Sequence, residues 1–363
     1  MSIIIFIIIL GVLVFVHELG HFITAKKSGV RVDEFAVGFP PKIFSFKKGG
    51  TVYSLNLIPF GGYVKIFGET PDEDSIDPNA KDSFVNKSKW TQAMILIAGI
   101  LFNIIFAWIL FSISFMTGFP SVVTEDTRND IANANVVVTD VFVNSPAEQS
   151  GISVGDKIIY LKARETKLEN DLTIKNIQDF ISKNGNNEIE FGVERENNLL
   201  IEKMTPSDEL FEGKYAVGIA MDLIGEIKLP VHKAIYRGFI MTGQMIKDIA
   251  VGLGIFIAQT VTGNANLNQV AGPVGIVSLV DDASKFGLVY LLGFTAFISL
   301  NLAVLNIVPF PALDGGRLLF ILIEGITRKP IKPTVANTIN FVGFAILILL
   351  MIIVTVSDVI KLF

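Results

Sequence analysis

The chain carries only three histidines, and two of them stand four residues apart, with a glutamate beside the first. His17-Glu18-Leu19-Gly20-His21 is an H-E-x-x-H sequence. Residues four apart on a helix sit about 40° apart around the axis and roughly one turn along it, so both imidazoles share a face. Nitrogens placed in this way reach one Zn²⁺ at about 2.0–2.1 Å. Glu18 is then placed to take a proton from an activated water, as in metalloproteases. The chain has no cysteine, which excludes disulfides and thiolate metal sites and leaves His, Asp and Glu as ligands.

Two histidines leave a catalytic zinc one protein ligand short. His232, the third, reads as a surface residue. A carboxylate is the alternative, and the run Asn306-Ile307-Val308-Pro309-Phe310-Pro311-Ala312-Leu313-Asp314-Gly315-Gly316 contains one. The prolines break a helix, and Gly315-Gly316 reads as a sharp turn that aims Asp314 back at the histidine pair.

The elements that must hold these groups are membrane spans. The chain is 51% hydrophobic and 18% charged, with a mean hydropathy of +0.56, where an ordinary soluble domain carries about 25% charge. The net charge of -5 gives no reason to expect a nucleic-acid partner. Spanning helices of about 20 apolar residues are predicted at 2–25, 94–116, 286–308 and 339–356. The first is not read as a cleaved signal, because no basic region precedes it and its apolar run leads straight into the charged motif. His17, Glu18 and His21 lie near its far end, and ionisable groups at that depth mark function by default.

Basic residues orient the spans. Lys26, Lys27 and Arg31 follow the first, and Lys87 and Lys89 precede the second. Arg317, Arg328, Lys329 and Lys332 fall in the loop 309–337. Both termini are thus expected outside the cell, with the loop 26–93 and the H-E-x-x-H end of the first span at the cytoplasmic face. The segment 234–262 is apolar enough to tempt a fifth span. Arg237, Gln244, Lys247, Asp248 and Gln259 interrupt it, and it is read as an amphipathic helix on the membrane surface. Were it to span, Asp314 would emerge on the face opposite the histidines.

Two further regions stand apart in texture. Residues 34–69 alternate like β structure, with turn signals at Gly49-Gly50 and Gly61-Gly62, and are unusually apolar for a loop. They are read as a membrane-associated β-hairpin beside the site. Residues 120–225 are polar and mix strands with two short helices, one capped by Ser145 and closed by Gly151, the other spanning 173–184. A hairpin is predicted around Asn197-Asn198. This region reads as one small α+β domain.

In these motifs and their order the sequence closely resembles the site-2 protease family of intramembrane zinc proteases. The carrying residues are His17 to His21, Asn306 to Gly316, Gly61-Gly62-Tyr63-Val64-Lys65 and Gly272-Pro273-Val274-Gly275-Ile276. The 120–225 domain, with Ser145-Pro146-Ala147 and Gly155-Asp156, looks like the PDZ domain of the bacterial subgroup. The resemblance implies Zn²⁺ held by His17, His21 and Asp314, with Glu18 as general base and Asn306 at the site. It implies substrate contacts at Gly61, Gly62, Tyr63, Pro309 and Pro311. The expected fold is a polytopic α-helical membrane protein of four spans with one inserted extracytoplasmic PDZ-like domain. Its parts are a first membrane section (1–119), the PDZ-like domain (120–225), a surface segment (226–285) and a second membrane section (286–363). The expected activity is hydrolysis of single-pass membrane proteins within the bilayer of a bacterial cytoplasmic membrane, anti-sigma factors and signal-peptide remnants being the family's substrates. The family often has Gly-Pro before an Asn in the second span; here Gly99-Ile100-Leu101-Phe102-Asn103 lacks the proline, a departure expected to touch no metal ligand. The rival readings are a non-catalytic membrane PDZ adaptor, against which Glu18 argues, and a zinc carrier, which would need polar residues along a path.

Overall fold

A computed structural model describes residues 2–69, 79–123, 131–195, 198–211, 214–264 and 270–361. The chain divides into two compact units: Met1–Ser112 with Ile235–Asp281 and Leu292–Phe363, and Ile113–Ala234 with Asp282–Leu291.

The first unit opens with helix α1 (Ser2–Lys27), followed by strands β1 (Val32–Lys48) and β2 (Thr51–Ile66) and helix α2 (Lys89–Thr117). At 1.5 Å per residue, α1 and α2 each exceed the roughly 30 Å of a bilayer core. They run antiparallel: His21 lies against Ile95, and His17 against Asn103. Small residues set their closeness. A side chain on Gly20 would collide with the Ala98 carbonyl and come within 2.9 Å of Gly99 Cα, the kind of backbone approach that small residues permit between membrane helices.

The hairpin is folded twice. Residues 34–37 of β1 pair with 62–65 of β2 on one side and with 52–55 on the other, while 44–48 of β1 pair with 51–55. The result is four ribbons, with Gly62–Ile66 along one outer edge and Phe44–Lys48 along the other. Phe39, Ile43, Phe44, Phe46, Leu55, Leu57 and Ile58 are exposed on it.

The second unit holds the mixed domain. Its elements are β3 (Phe119–Val122), β4 (Ile131–Val141), α3 (Pro146–Ser150), β5 (Lys157–Ala163), β6 (Thr166–Leu168), α4 (Ile174–Lys183), β7 (Ile189–Arg195), β8 (Asn198–Met204), β9 (Ser207–Phe211), β10 (Lys214–Ala216) and β11 (Ile219–Ile227). The main sheet runs β3-β11-β4-β5-β7-β8, with β6 on β5. The helix cap expected at Ser145 forms, its Oγ accepting from Glu148 N at 3.2 Å, and the helix expected over 173–184 is capped likewise, Thr173 Oγ1 accepting from Asn176 N at 3.2 Å. Gly151 closes α3 at φ 94°. The β7–β8 turn, expected at Asn197-Asn198, falls partly outside the described residues. Ile158, Leu161, Ile177, Ile189 and Phe191 fill the core.

Four helices follow: α5 (Val231–Val261), α6 (Pro273–Lys285), α7 (Leu288–Ile307) and α8 (Asp314–Thr327), then α9 (Pro333–Ile360) closes the chain. Among the described residues α1, α2, α5, α7 and α9 are long and apolar enough to cross a membrane by length and composition. In α5, Arg237, Gln244, Asp248 and Gln259 fall within a stripe about 60° wide at 100° per residue. Helix α8 was not expected, since 309–337 reads as a loop. Its glycines do not make the turn. Ala312, at φ 75°, does so, and Gly315 and Gly316 are the first buried turn of α8, where side chains would overlap the Val308 and Phe310 carbonyls.

Candidate metal centre

Three elements bring the chemistry together. α1 presents His17 and His21 one turn apart. α7 lies antiparallel to α2, with Ser299 Oγ donating to the Asn103 carbonyl at 2.9 Å and Ser114 Oγ to the Val289 carbonyl at 3.5 Å, so α7 and α1 end on the same side. The Pro309–Pro311 break then turns the chain, and Asp314 opens α8 against the histidines.

Asp314 Oδ2 lies 3.1 Å from His17 Nε2 and 3.2 Å from His21 Nε2, and the two Nε2 atoms are 3.2 Å apart. A tetrahedral ion with bonds of about 2.0–2.1 Å spaces its ligand atoms about 3.3 Å apart, so the triangle has the size zinc requires. Asp314 Oδ2 is buried and receives no well-aligned hydrogen bond. An acceptor in that state is costly, and a shared cation relieves it. His21 is prepared for that role: its Nδ1 lies 2.8 Å from the Ile95 carbonyl, so the proton sits on Nδ1 and the Nε2 lone pair is left for metal. His17, His21 and Asp314 are the group of potential ligands found among the described residues. The residues present fit Zn²⁺.

The other expected site residues are placed less uniformly. Glu18 follows His17 on α1 and is half-buried. Asn306 sits in the last turn of α7, eight residues before Asp314, half-buried. Gly61 borders α1, and a side chain there would meet Phe39 and approach Val14 Cγ1 at 3.8 Å, one turn before His17. Gly62 lies so close to the Ala36 carbonyl that a Cβ would stand 2.6 Å from it. Tyr63 stacks on Phe39 with ring centres 6.4 Å apart. Burial and the neighbouring Glu34 carboxylate push its phenol above the ordinary value. Pro309 is exposed, whereas Pro311 packs against Gly343 of α9. His232 is exposed at the start of α5 and is not among the grouped ligands.

Sequence reasoning missed α2. The Gly99–Asn103 stretch, notable in the sequence only for its missing proline, lies against both ligands. A methyl on Gly99 would overlap His21 Nε2 and come within 2.9 Å of His17 Cε1, and Asn103 Nδ2 is 3.5 Å from His17 Nδ1. The signal was the 95–99–103 spacing, which puts three residues on one helix face.

Residues 5–350 match the family described as Peptidase family M50. The chain belongs to Peptidase family M50. The M50 chain is 36% identical over 352 residues to a Clostridium perfringens protein whose name assigns it to the zinc metalloproteases, an alignment covering 96% of this chain and 95% of that one. It is 30% identical over 439 residues to the Bacillus subtilis regulator of sigma-W protease RasP, covering 100% and 99%. To the zinc metalloprotease RasP of Geobacillus kaustophilus it is 29% identical over 441 residues, covering 100% and 98%. This M50 peptidase, of the site-2 protease type, is a zinc metalloprotease, and its apolar helices are those of an integral membrane protein. The adaptor and carrier readings are set aside.

Proposed function

We propose that this protease cuts single-pass membrane proteins within the bilayer, at a zinc centre held by His17, His21 and Asp314 near the cytoplasmic face. The observation that carries the reading is the 3.1–3.2 Å triangle of those ligands with Glu18 beside it on an apolar helix. Bound zinc supplies Lewis acidity to the scissile carbonyl and makes a water nucleophilic near neutral pH. Glu18 takes the proton of the attacking water and passes it to the leaving amine nitrogen. Asn306, at the end of α7, donates to the developing oxyanion.

A helix hides its carbonyls, so the substrate must be held extended. The outer edge at Gly62–Ile66 supports this role: among the described residues its outer side is unpaired, and the adjoining Gly61 lies next to α1 at Val14. A substrate strand added there gains main-chain hydrogen bonds, and the exposed Phe44, Phe46 and Leu57 of the same sheet suit a lipid contact.

Four crossings fit the contacts better than five. The first turns of α5 meet the C-terminal half of α2, where Trp108 Nε1 donates to the Ile235 carbonyl at 2.9 Å. α6 meets the opposite ends of the other helices: Ser2 Oγ donates to the Asp281 carboxylate, and Gly275 N donates to Asp358 Oδ2 at 2.8 Å. Both attachments lie on the side where α1 begins. A crossing by α5 alone would strand α6 on the far side, and non-helical chain does not return through lipid. The basic residues Lys26, Lys27, Lys329 and Lys332 gather at the other side, as expected for cytoplasm.

The mixed domain suits a PDZ role. β11 residues 219–222 pair with β4, while β3 pairs with the opposite edge only from 224 onward. The Val217 and Gly218 carbonyls accept from Ala147 N and Phe142 N, both at 2.9 Å. The same peptide planes point the N–H groups of Gly218 and Ile219 the other way, the arrangement that captures a carboxylate terminus. The Bacillus subtilis relative is named as a regulator of sigma-W, which supports a membrane protein acting on a sigma factor as the substrate class. The test is Glu18→Gln in cells making a membrane-spanning reporter. Cleavage is expected to vanish while zinc content stays at the wild-type level; a variant that still cuts would refute the base.

A further inference from the structure

The geometry points to Asn103 as the residue that fixes His17 for metal binding, through its amide oxygen. The inference rests on the zinc centre proposed above. Three residues on one face of α2 face the histidine pair: Ile95, Gly99 and Asn103, spaced by four. Ile95 offers its carbonyl to His21 Nδ1 at 2.8 Å. Gly99 leaves the space the rings occupy. Asn103 is fully buried and lies 3.5 Å from His17 Nδ1.

A neutral imidazole carries one proton. His17 Nε2 faces Asp314 and His21, so a metal there needs the Nε2 lone pair, and the proton must sit on Nδ1. That N–H needs an acceptor. The side chain beside it is an amide whose two ends are nearly the same shape and exchange by a half-turn. With Nδ2 toward His17, Oδ1 is left buried with no hydrogen bond, and Nδ1 is asked to be the lone pair. That is the tautomer in which Nε2 holds the proton and binds no metal. The half-turn puts Oδ1 on the Nδ1–H and frees Nε2. α2 thus prepares both ligands in the same way, by a main-chain oxygen for His21 and a side-chain oxygen for His17. Ser299 Oγ, bonded to the Asn103 carbonyl, holds the α2 backbone at that level.

Asn103 is a positioning residue, and its signature is a metal and tautomer effect. Full-length protein is purified with ¹⁵N-histidine, which labels only three imidazoles, and zinc affinity is measured by chelator competition. The set is wild type, Asn103→Asp, Asn103→Leu and, as reference, His17→Ala. Asn103→Asp keeps an acceptor and is expected to bind zinc as tightly as wild type or more so. Asn103→Leu keeps the branched shape without an acceptor and is expected to weaken binding about 10–100-fold. The zinc-loaded wild type is expected to show His17 protonated at Nδ1. Zinc affinity in Asn103→Leu within about twofold of wild type overturns the proposal, since removing such a partner costs at least about tenfold. So does a His17 ligated through Nδ1. Should the leucine variant not fold, the aspartate variant decides: affinity as poor as that of His17→Ala sinks the idea. A wild type that takes up no zinc refutes the centre itself, a result distinct from either.

Discussion

A methyl group is the smallest addition position 99 could receive, and there is no room for it. It would overlap His21 Nε2 and press on His17 Cε1 at 2.9 Å. His21 cannot swing away without losing its bond to the Ile95 carbonyl, so the strain falls on the ligand triangle. Gly99→Ala is expected to weaken zinc binding by at least about tenfold, in the range seen when ligand orientation is lost, with reporter cleavage falling in step. Alanine favours a helix interior over glycine by about 1 kcal/mol. That gain offsets only part of an overpacking cost of about 1–3 kcal/mol, so the metal-free protein is expected to melt somewhat lower than wild type, and zinc affinity measured on the folded variant separates a site effect from a folding effect. Melting curves beside a chelator titration measure both, and unchanged zinc affinity would mean the rings relocate freely. At this scale the sequence was readable where ligand spacing is local: His17, Glu18 and His21 declare themselves within five residues. Asp314 needed the additional argument that two spans end on one face. Gly99 and Asn103 left only their four-residue spacing as a signal, because their meaning lies in how closely α2 approaches α1.

The doubly folded hairpin is tied at its base by Glu34. Its carboxylate pairs with Lys42 Nζ at 2.7 Å and accepts from the Ser54 hydroxyl. Partial burial works against ionisation, yet the bonds from Lys42 and Ser54 prevail and hold the Glu34 carboxyl below its ordinary value. A lowered carboxyl stabilises the fold at pH above the ordinary glutamate value of about 4.3. That contribution is lost as pH falls through the lower folded value. Amides of 32–66 are thus expected to exchange faster, relative to the second unit, as pH drops below about 4.3, and Glu34→Gln is expected to flatten that pH response. Hydrogen-exchange mass spectrometry reads it directly; an identical profile in the variant would remove Glu34 from the account. Alternation along 43–57 announced strands. It did not announce that residues 34–37 pair on both sides, since partners 18 residues away on one side and 25 to 31 on the other leave no local trace. α8 was hidden for another reason. Pro309, Pro311 and the glycine pair read as breakers, whereas Gly315 and Gly316 serve close packing inside the helix. In the mixed domain, caps and turns carry their own signatures, and Ser145, Gly151 and Thr173 were legible as helix ends.

Across the whole molecule, the arrangement of crossings decides whether the zinc ligands can meet from one face. α5 is the discriminating element. It has 31 residues, enough to span, and Asp248 stands near its middle, exposed and flanked by Lys247. If α5 crossed, position 248 would lie in hydrocarbon, where charges are expensive and an aqueous reagent does not reach. If α5 lies along the outer surface, its polar stripe faces water. The absence of native cysteine lets single substitutions report without background. Lys175→Cys on α4 and Asp248→Cys are expected to react with a membrane-impermeant maleimide in intact cells. Lys27→Cys and Lys329→Cys are expected to react only after permeabilisation. Position 27 reports the end of α1, and position 329 the stretch between α8 and α9, so their common sidedness tests the juxtaposition of His17, His21 and Asp314. Protection of 248 from both sides would make α5 a span. Chain parity would then demand a further crossing between α5 and α7, because the ligand triangle fixes where α7 must end. Labelling of 248 together with 175 would leave α5 as a surface helix, its polar stripe facing water.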